Sequence, residues 1–267
     1  AIPPAPQGRD VLGSAPPGTG KTAAYLLPVL QHLLDFPRKK SGPPRVLILT
    51  PTRELAMQVA EQARELAKHT HLDIATITGG VAFMNHAEVF SENQDLVVAT
   101  TGRLLQYIKE ENFDCRAVET LILDEADRML DMGFVRDIRR IMTFVPEKRQ
   151  TVLFSATMPR SIEDLAASLL NDPARVEVAP PSSTVDRIQQ AVMFVNGASN
   201  KRDALLTMVE SPKVARAVVF TLMKHEANKV AEFLNKNSIV AEAIHGNKSQ
   251  GARERAMKGF RSGAVKV

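Results

Sequence analysis

The chain has 267 residues, of which 44% are hydrophobic and 24% are charged; this composition is typical of folded globular proteins and excludes disorder as the main state. A formal net charge of +4 at pH 7 permits an anionic partner such as nucleic acid but does not require one. The single cysteine, Cys115, excludes a disulfide framework and zinc-ribbon spacing and indicates a reducing compartment. With no signal-peptide pattern and no run of 18 apolar residues, we expect a cytoplasmic protein that does not span a membrane.

The first predicted elements are a strand, a turn and a helix. Residues 11–14 (VLGS) indicate a short buried strand, residues 15–22 (APPGTGKT) form a turn rich in glycine and proline, and an apolar helix follows. This context is what a phosphate-binding loop needs: the glycines let backbone N–H groups wrap a phosphate, Lys21 adds positive charge, and the Thr22 hydroxyl can bind Mg²⁺. The residues predicted to contact the nucleotide here are Ala15, Gly18, Thr19, Gly20, Lys21 and Thr22.

Two residues depart from the usual loop pattern. Glycine is expected where Ala15 stands, and Pro17 removes one backbone donor, although it precedes the amides that make most phosphate contacts. A glycine-rich loop that binds no ligand is the alternative interpretation.

Further strands alternate with amphipathic helices along the chain. Short β-branched runs occur at residues 46–50, 74–78, 96–100, 121–124 and 151–155, and each is followed by a longer amphipathic stretch. Such alternation predicts βαβ units and hence an α/β fold with a parallel sheet.

An acidic segment, residues 124–127 (DEAD), directly follows the fourth of these runs. A buried strand that ends in Asp places a carboxylate at the edge of the sheet where α/β proteins bind ligands. We expect Asp124 to hold Mg²⁺, through water, and Glu125 to accept a proton from the attacking water. Together with the loop at 15–22, the segment predicts an NTPase; taken alone, it could instead be an acidic helix N-terminus.

A domain boundary is predicted where the pattern stops, at residues 179–184 (APPSST). We expect an N-terminal domain at 1–179, a linker at 180–187 and a C-terminal domain at 188–267. In the last of these, apolar alternation at 188–195 and strands at 217–221 and 240–244 accompany helices near 201–210, 226–235 and 250–260.

Several further motifs then follow in a recognisable order: PTREL at 51–55, GG at 79–80, TGR at 101–103, SAT at 155–157, VF at 219–220 and HG at 245–246. With the two nucleotide motifs, they resemble the DEAD-box RNA helicases of superfamily 2, of the bacterial ribosome-assembly type. The RNA-contacting residues that this resemblance implies are Pro51, Thr52, Arg53, Gly79, Gly80, Thr101, Gly102, Arg103, Phe220, His245, Gly246, Gln250 and Arg253. The catalytic residues that it implies are Lys21, Asp124, Glu125, Ser155 and Thr157, with Asp127 added to the nucleotide contacts.

The resemblance also implies a fold and an activity. The fold is a RecA-like P-loop domain with a parallel sheet flanked by helices, followed by a second, incomplete RecA-like domain, in a chain truncated at both ends. The activity is ATP-dependent RNA clamping and local duplex unwinding, with ATP and Mg²⁺ as cofactors. RNA, as single strand or short duplex, is the implied partner, together with ribosome-assembly or RNA-decay proteins, and we expect a monomer. Loops that contact the nucleic-acid backbone do not read bases, and with no Trp and two Tyr for stacking, sequence preference should be weak.

Two other functions stay open at this point. Thr101 stands where many relatives have Pro and Met223 where many have Thr, and both the adenine-recognising residues and the arginine fingers of the family lie outside residues 1–267. The chain could therefore be a catalytically incomplete fragment that only binds nucleotide or RNA. Alternatively, residues 16–22 suit the loop of an AAA+ ATPase.

Overall fold

The structure is a computed structural model that describes residues 7–38, 42–80, 94–178 and 189–267. The chain divides into two compact units, Ala1–Asp186 and Arg187–Val267, which are described separately below. The linker predicted at 180–187 lies outside the described residues, so the predicted domain boundaries stay predictions.

Seven parallel strands form one sheet in the first unit, in the order β3-β4-β2-β5-β6-β1-β7. The prediction of an α/β fold with a parallel sheet is confirmed. Sequence reasoning missed β7, whose four residues alternate between half-buried and exposed at the edge of the sheet. The strands are β1 Val11–Ser14, β2 Val46–Thr50, β3 Ile74–Ile77, β4 Leu96–Thr100, β5 Thr120–Leu123, β6 Gln150–Ser155 and β7 Ala174–Glu177.

Helices cover both faces of this sheet, because alternate side chains of the central strands point to opposite sides. Val46 and Ile48 of β2 pack under α1 and α2, whereas Leu47 and Leu49 pack under α3 to α6. All four are fully buried, as are the equivalent positions of β4. The helices of the first unit are α1 Lys21–Asp35, α2 Arg53–Ala67, α3 Thr101–Lys109, α4 Ala126–Asp131, α5 Val135–Met142 and α6 Arg160–Leu169.

Charged side chains form hydrogen bonds along the edge of the sheet at which the strands begin. Asp10, just before β1, accepts hydrogen bonds from the N–H groups of Thr151 (2.6 Å) and Asn171 (2.7 Å). Arg45, just before β2, donates two hydrogen bonds of 2.8 Å to Glu119, which precedes β5. These contacts join the starts of strands that are far apart in sequence. They also give the buried charges of Asp10 and Arg45 hydrogen-bond partners.

The second unit contains three helices in its described residues: α7 Gly197–Glu210, α8 Lys224–Lys236 and α9 Gln250–Ser262. Residues 189–267 contain no strand, so the strands predicted at 217–221 and 240–244 are wrong. The segments do meet the last residues of the chain, since Ala217 N–H donates to Lys266 O (2.9 Å) and Lys266 N–H to Val240 O (2.9 Å). Both segments have the apolar residues of a strand. A strand also needs a ladder of backbone hydrogen bonds to a neighbour, and the hydrogen bonds to the last residues are too few to form one.

A small apolar core joins α7 and α8 of the second unit. Val209, Leu234 and Ala241 are its buried residues. Among the described residues, large apolar side chains remain exposed beside it, including Phe220 and Leu222, which are each 92% exposed. None of the helices in the described ranges has both the length and the apolar character needed to cross a membrane.

Candidate functional site

The loop between β1 and α1 has the backbone geometry of a phosphate cradle. Gly18 and Gly20 have φ of +78° and +83°, the left-handed region that glycine adopts without strain. A side chain at either position would meet open space, so the backbone angle and not crowding requires glycine here. The Thr19 hydroxyl donates to Pro16 O at 2.7 Å and closes the loop. Lys21 and Thr22 then begin α1, whose N-terminus favours an anion.

Ala15 connects this loop to the sheet. The residue is buried, and its N–H donates to the Ser155 carbonyl at 3.1 Å, which extends the pairing of β1 with β6. That N–H is used by the sheet, so the predicted contact of Ala15 with nucleotide stays a prediction.

Asp124 lies at the end of β5, where its N–H donates to Leu49 O at 3.0 Å and continues the ladder with β2. The side chain is only 3% exposed. Its Oδ1 accepts from Glu125 N–H at 2.9 Å and its Oδ2 from the Tyr25 hydroxyl at 2.8 Å. Burial raises the pKa of this carboxyl, although the Tyr25 hydroxyl and the positive charge of Lys21 oppose the rise. An anionic carboxylate is thus held, at some energetic cost, beside the phosphate loop.

Glu125 has a non-glycine left-handed backbone, with φ of +55°, at the start of α4. Such a conformation costs on the order of 1–3 kcal/mol and persists where the surrounding structure enforces it. Burial, and next the charge of Asp124, raise the pKa of Glu125, while Arg128 at 3.9 Å and Lys21 lower it. A carboxylate with a raised pKa is a stronger proton acceptor, which suits the predicted role of Glu125.

Asp127 binds the motif that follows β6. Its Oδ2 accepts from the N–H of Thr157 at 3.0 Å and from the Thr157 hydroxyl at 2.9 Å. The Ser155 hydroxyl donates to Thr157 O at 2.7 Å. Burial alone would raise the pKa of Asp127, but the hydrogen bonds, led by the one from the Thr157 side chain, outweigh it and hold that pKa below its usual value. The acidic motif and the SAT motif therefore form one hydrogen-bonded unit, and the predicted contact of Asp127 with nucleotide stays a prediction.

The predicted RNA contacts of the first unit begin at the end of β2. Pro51 is buried, and Thr52 caps α2 by accepting a hydrogen bond from Leu55 N–H at 3.3 Å. Arg53 is the first residue of α2, and its guanidinium group lies beside Gly80. The PTREL and GG motifs are therefore neighbours in space.

Thr100, at the end of β4, connects the GG motif with the TGR motif. Its hydroxyl accepts a hydrogen bond from Gly79 N–H at 3.2 Å. Gly79, Gly80 and Gly102 are exposed, so their backbones are accessible to a ligand. The guanidinium carbon of Arg103 lies 5.4 Å from the centre of the Tyr107 ring. Sequence reasoning did not select Thr100; its place at the end of a predicted strand, directly before the TGR motif, was the available signal.

Thr101, the first residue of the TGR motif, faces the core of the first unit. Its side chain is fully buried and its hydroxyl donates to the Met129 sulfur at 3.7 Å, because the residue is the first of α3 and faces the core. The Thr101 hydroxyl is therefore used inside the protein, and the predicted contact of Thr101 with RNA stays a prediction.

The predicted RNA contacts of the second unit lie on loops and on one helix. Phe220 is exposed, and His245 is half-buried between Asn228 Oδ1 (3.1 Å from Nε2) and Asn247 N–H (3.3 Å from Nδ1). Because Nδ1 accepts a hydrogen bond, Nε2 carries the proton and donates to Asn228. Lys224, which sequence reasoning did not select, lies beside Gly246. Gln250 begins α9 and Arg253 follows one turn later; the side chain of Gln250 lies outside the described part of the chain.

Strand order sorts the motifs of the first unit into two groups. The PTREL, GG and TGR motifs follow the neighbouring strands β2, β3 and β4, whereas the phosphate loop and the DEAD and SAT motifs follow β1, β5 and β6, which are also neighbours. All strands are parallel, so both groups lie at the same edge of the sheet. One edge thus presents side by side the predicted nucleotide motifs, here called the nucleotide half, and the predicted RNA motifs, here called the RNA half.

Fold and site together define a P-loop nucleotide-binding protein, with a glycine-rich loop and a buried strand-end Asp on one parallel sheet. Comparison with known families is consistent with this class. The DEAD/DEAH box helicase family matches residues 1–165, and the helicase conserved C-terminal domain matches residues 200–267. The chain belongs to the DEAD/DEAH box helicase family, as its motifs predicted, and both matched domains imply RecA-like folds.

Curated relatives include the ATP-dependent RNA helicases SrmB of Escherichia coli K12 and of Haemophilus influenzae. Identity is 61% with the first and 54% with the second, in each case over all of this chain. The ATP-dependent RNA helicase RhlB of Pseudomonas aeruginosa is 40% identical over 98% of this chain and 67% of its own length. The chain spans 60% and 61% of the lengths of the two SrmB proteins.

Proposed function

We propose that this protein is an ATP-dependent RNA helicase that couples ATP binding and hydrolysis to RNA clamping and local duplex unwinding. The observation that carries the proposal is the placement of a nucleotide half and an RNA half on one edge of one sheet. The names of the relatives, all ATP-dependent RNA helicases, support the same activity.

The nucleotide half would work as follows. The loop amides around Gly18 and Gly20, with Lys21, bind the phosphates of ATP. The Thr22 hydroxyl and the Asp124 carboxylate are oxygen donors of the kind Mg²⁺ prefers, and Asp124 acts through water. Mg²⁺ bound there would neutralise the charge that develops on the phosphates. Glu125 accepts a proton from the attacking water, which its raised pKa favours.

The RNA half would bind the sugar-phosphate backbone. Exposed amides of Gly79, Gly80 and Gly102 and the charges of Arg53 and Arg103 suit phosphate oxygens and carry no information about base identity. Single-stranded RNA or a short duplex is the proposed ligand, recognised as RNA through its 2′-hydroxyls. The hydrogen bonds between Asp127 and Thr157 would transmit the state of the nucleotide half.

The second unit would also bind RNA. Phe220, His245, Gly246, Gln250 and Arg253 are its proposed RNA contacts. This proposal includes the domain limits 1–179 and 188–267 with a linker at 180–187, and a cytoplasmic monomer. Ribosome-assembly or RNA-decay proteins are the proposed protein partners.

One alternative retains a supporting observation. A chain that binds nucleotide or RNA without turnover is favoured by the second unit, whose described residues contain no strand and expose Phe220. The AAA+ alternative is set aside, because the family match places the chain among the helicases.

Phosphate release from ATP separates the two remaining candidates. The 267-residue chain is assayed with Mg²⁺ at one salt concentration, without nucleic acid, with single-stranded RNA and with single-stranded DNA. RNA-selective stimulation is the expected result. Nucleotide binding without phosphate release would favour the binding-only chain, and equal stimulation by DNA would contradict the proposed RNA selectivity.

A further inference from the structure

Tyr25 is a buried polar residue beside the predicted metal ligands that the proposed mechanism does not use. It lies on α1, one turn after Thr22, and is 2% exposed. Its hydroxyl donates to Asp124 Oδ2 at 2.8 Å, across 99 residues of sequence. A buried tyrosine hydroxyl needs a hydrogen-bond partner, and here that partner is the carboxylate at the end of β5.

The contact leaves the Asp124 carboxylate with one donor on each oxygen. Glu125 N–H holds Oδ1 and the Tyr25 hydroxyl holds Oδ2, so rotation of the carboxylate would break both hydrogen bonds. The backbone donor belongs to the residue next to Asp124 in sequence, whereas the Tyr25 donor is fixed to α1. Tyr25 is thus the group that sets the orientation of the carboxylate relative to the helix.

Thr22 lies on the same helix as Tyr25, since both belong to the first two turns of α1. The Tyr25 hydroxyl therefore ties the Asp124 carboxylate to the helix that carries Thr22. Thr22 and Asp124 are the two residues proposed to hold Mg²⁺. A group on the helix of Thr22 that holds the Asp124 carboxylate can set the separation of the two residues before any metal arrives.

We propose that Tyr25 is a positioning residue that preorganises Asp124 and Thr22 for Mg²⁺ bound with nucleotide; this inference rests on the proposed function. The ring of Tyr25 has a separate, structural role, because it packs against Phe154 with ring centres 5.7 Å apart. Tyr25→Phe keeps that packing and removes only the hydroxyl. The variant therefore separates positioning from core packing.

The test measures how Mg²⁺ changes the affinity for a fluorescent ADP. The full chain and Tyr25→Phe are titrated with the nucleotide in excess EDTA and then over a range of Mg²⁺ concentrations. We expect the same ADP affinity in EDTA, and about a 10-fold increase in the Mg²⁺ concentration at half-saturation for the variant. Mn²⁺ binding, followed by electron paramagnetic resonance in the presence of ADP, should weaken by a similar factor.

The matched control is Tyr107→Phe, which removes the hydroxyl of the chain's other tyrosine, a fully buried residue on α3. This variant should bind Mg²⁺ and ADP as the unchanged chain does. A double variant adds a second readout: if Tyr25 acts through Asp124, then Tyr25→Phe should change little once Asp124→Asn is present.

The outcomes distinguish this inference from the proposed function. Mg²⁺-dependent ADP binding that is identical in the unchanged chain and in Tyr25→Phe overturns the positioning role alone. Additive effects in the double variant also overturn it, because they would mean that the hydroxyl acts independently of Asp124. ADP binding that ignores Mg²⁺ in the unchanged chain overturns the proposed metal site and this inference with it.

Discussion

The two edges of the sheet use charge in opposite ways. Where the strands begin, Glu119 is paired with Arg45, and although burial raises its pKa, the hydrogen bonds from Arg45 and His32 outweigh burial and lower it. Where the strands end, burial raises the pKa values of Asp124 and Glu125. The first edge satisfies its charges and stabilises the fold; the second keeps Asp124 and Glu125 in a costly state that a bound Mg²⁺ would relieve.

Backbone geometry follows the same division. The strand-end edge contains Glu125 in a left-handed conformation and the two left-handed glycines of the phosphate loop. At the strand-start edge, Asp10 accepts two backbone hydrogen bonds from neighbouring segments. Substitutions at the strand-end edge should therefore alter catalysis or ligand binding. Substitutions at the strand-start edge should alter the free energy of unfolding.

The largest expected effect is that of Glu125→Gln at the strand-end edge. Because glutamine cannot accept the proton of the attacking water, ATP turnover should fall by about 100-fold or more while ATP binding is retained. Phosphate release and fluorescent-nucleotide binding measure the two quantities, and Glu119→Gln is the matched control at the other edge. Turnover that survives in Glu125→Gln would reject Glu125 as the proton acceptor.

Asp10→Ala should have the next largest effect, on stability. Two backbone N–H groups lose a charged acceptor in a buried site, which should lower the free energy of unfolding of the first unit by about 2–4 kcal/mol. Urea denaturation followed by circular dichroism measures the decrease. ADP affinity of the folded protein should not change; a weaker affinity at equal folded fraction would contradict the separation of the two edges.

Arg53→Ala and Arg103→Ala test whether the strand-end edge has separate nucleotide and RNA halves. Each should weaken single-stranded RNA binding by roughly 10-fold and reduce the salt dependence of log K by about 0.7 for each RNA phosphate that the arginine no longer neutralises. ATP affinity should stay the same. RNA affinity is measured by fluorescence anisotropy at several salt concentrations, with Arg139→Ala on α5 as the control. A uniform effect of all three variants would mean that net charge alone matters.

Glu119→Gln should show the smallest effect, about 0.5–1 kcal/mol, because its partly exposed pair with Arg45 is screened by solvent. The folded-state pKa of Glu119 lies below its unfolded value, so its contribution is present above the unfolded pKa and is lost as pH falls through the folded pKa. The difference in unfolding free energy between the two proteins should be full at pH 7 and should disappear as the pH falls below the folded-state pKa of Glu119. A difference that stays constant with pH would show that the charge of Glu119 contributes nothing.

Much of this arrangement was predictable from local sequence. The strand before Asp124 and the turn at 15–22 each depend on a few adjacent residues, so a pattern of apolar, glycine and acidic residues predicts them. The strands predicted in the second unit are wrong because strand formation also depends on residues outside the segment itself. Residues 217–221 have the apolar composition of a strand, but a strand exists only where a neighbour completes its ladder. The buried side chain of Thr101 was likewise not predictable, because it depends on how α3 packs on the core.

The sequence by itself determined the class of protein, because its motifs need only short-range spacing. They predict a nucleotide loop, an acidic metal ligand and a set of turns that bind the nucleic-acid backbone. The tertiary structure decided which of these motifs lie next to one another. Strand order placed the RNA motifs after β2, β3 and β4 and the nucleotide motifs after β1, β5 and β6. It also brought Tyr25 within 2.8 Å of Asp124. Such contacts arise from pairing between strands far apart in the chain, and no local pattern encodes that pairing.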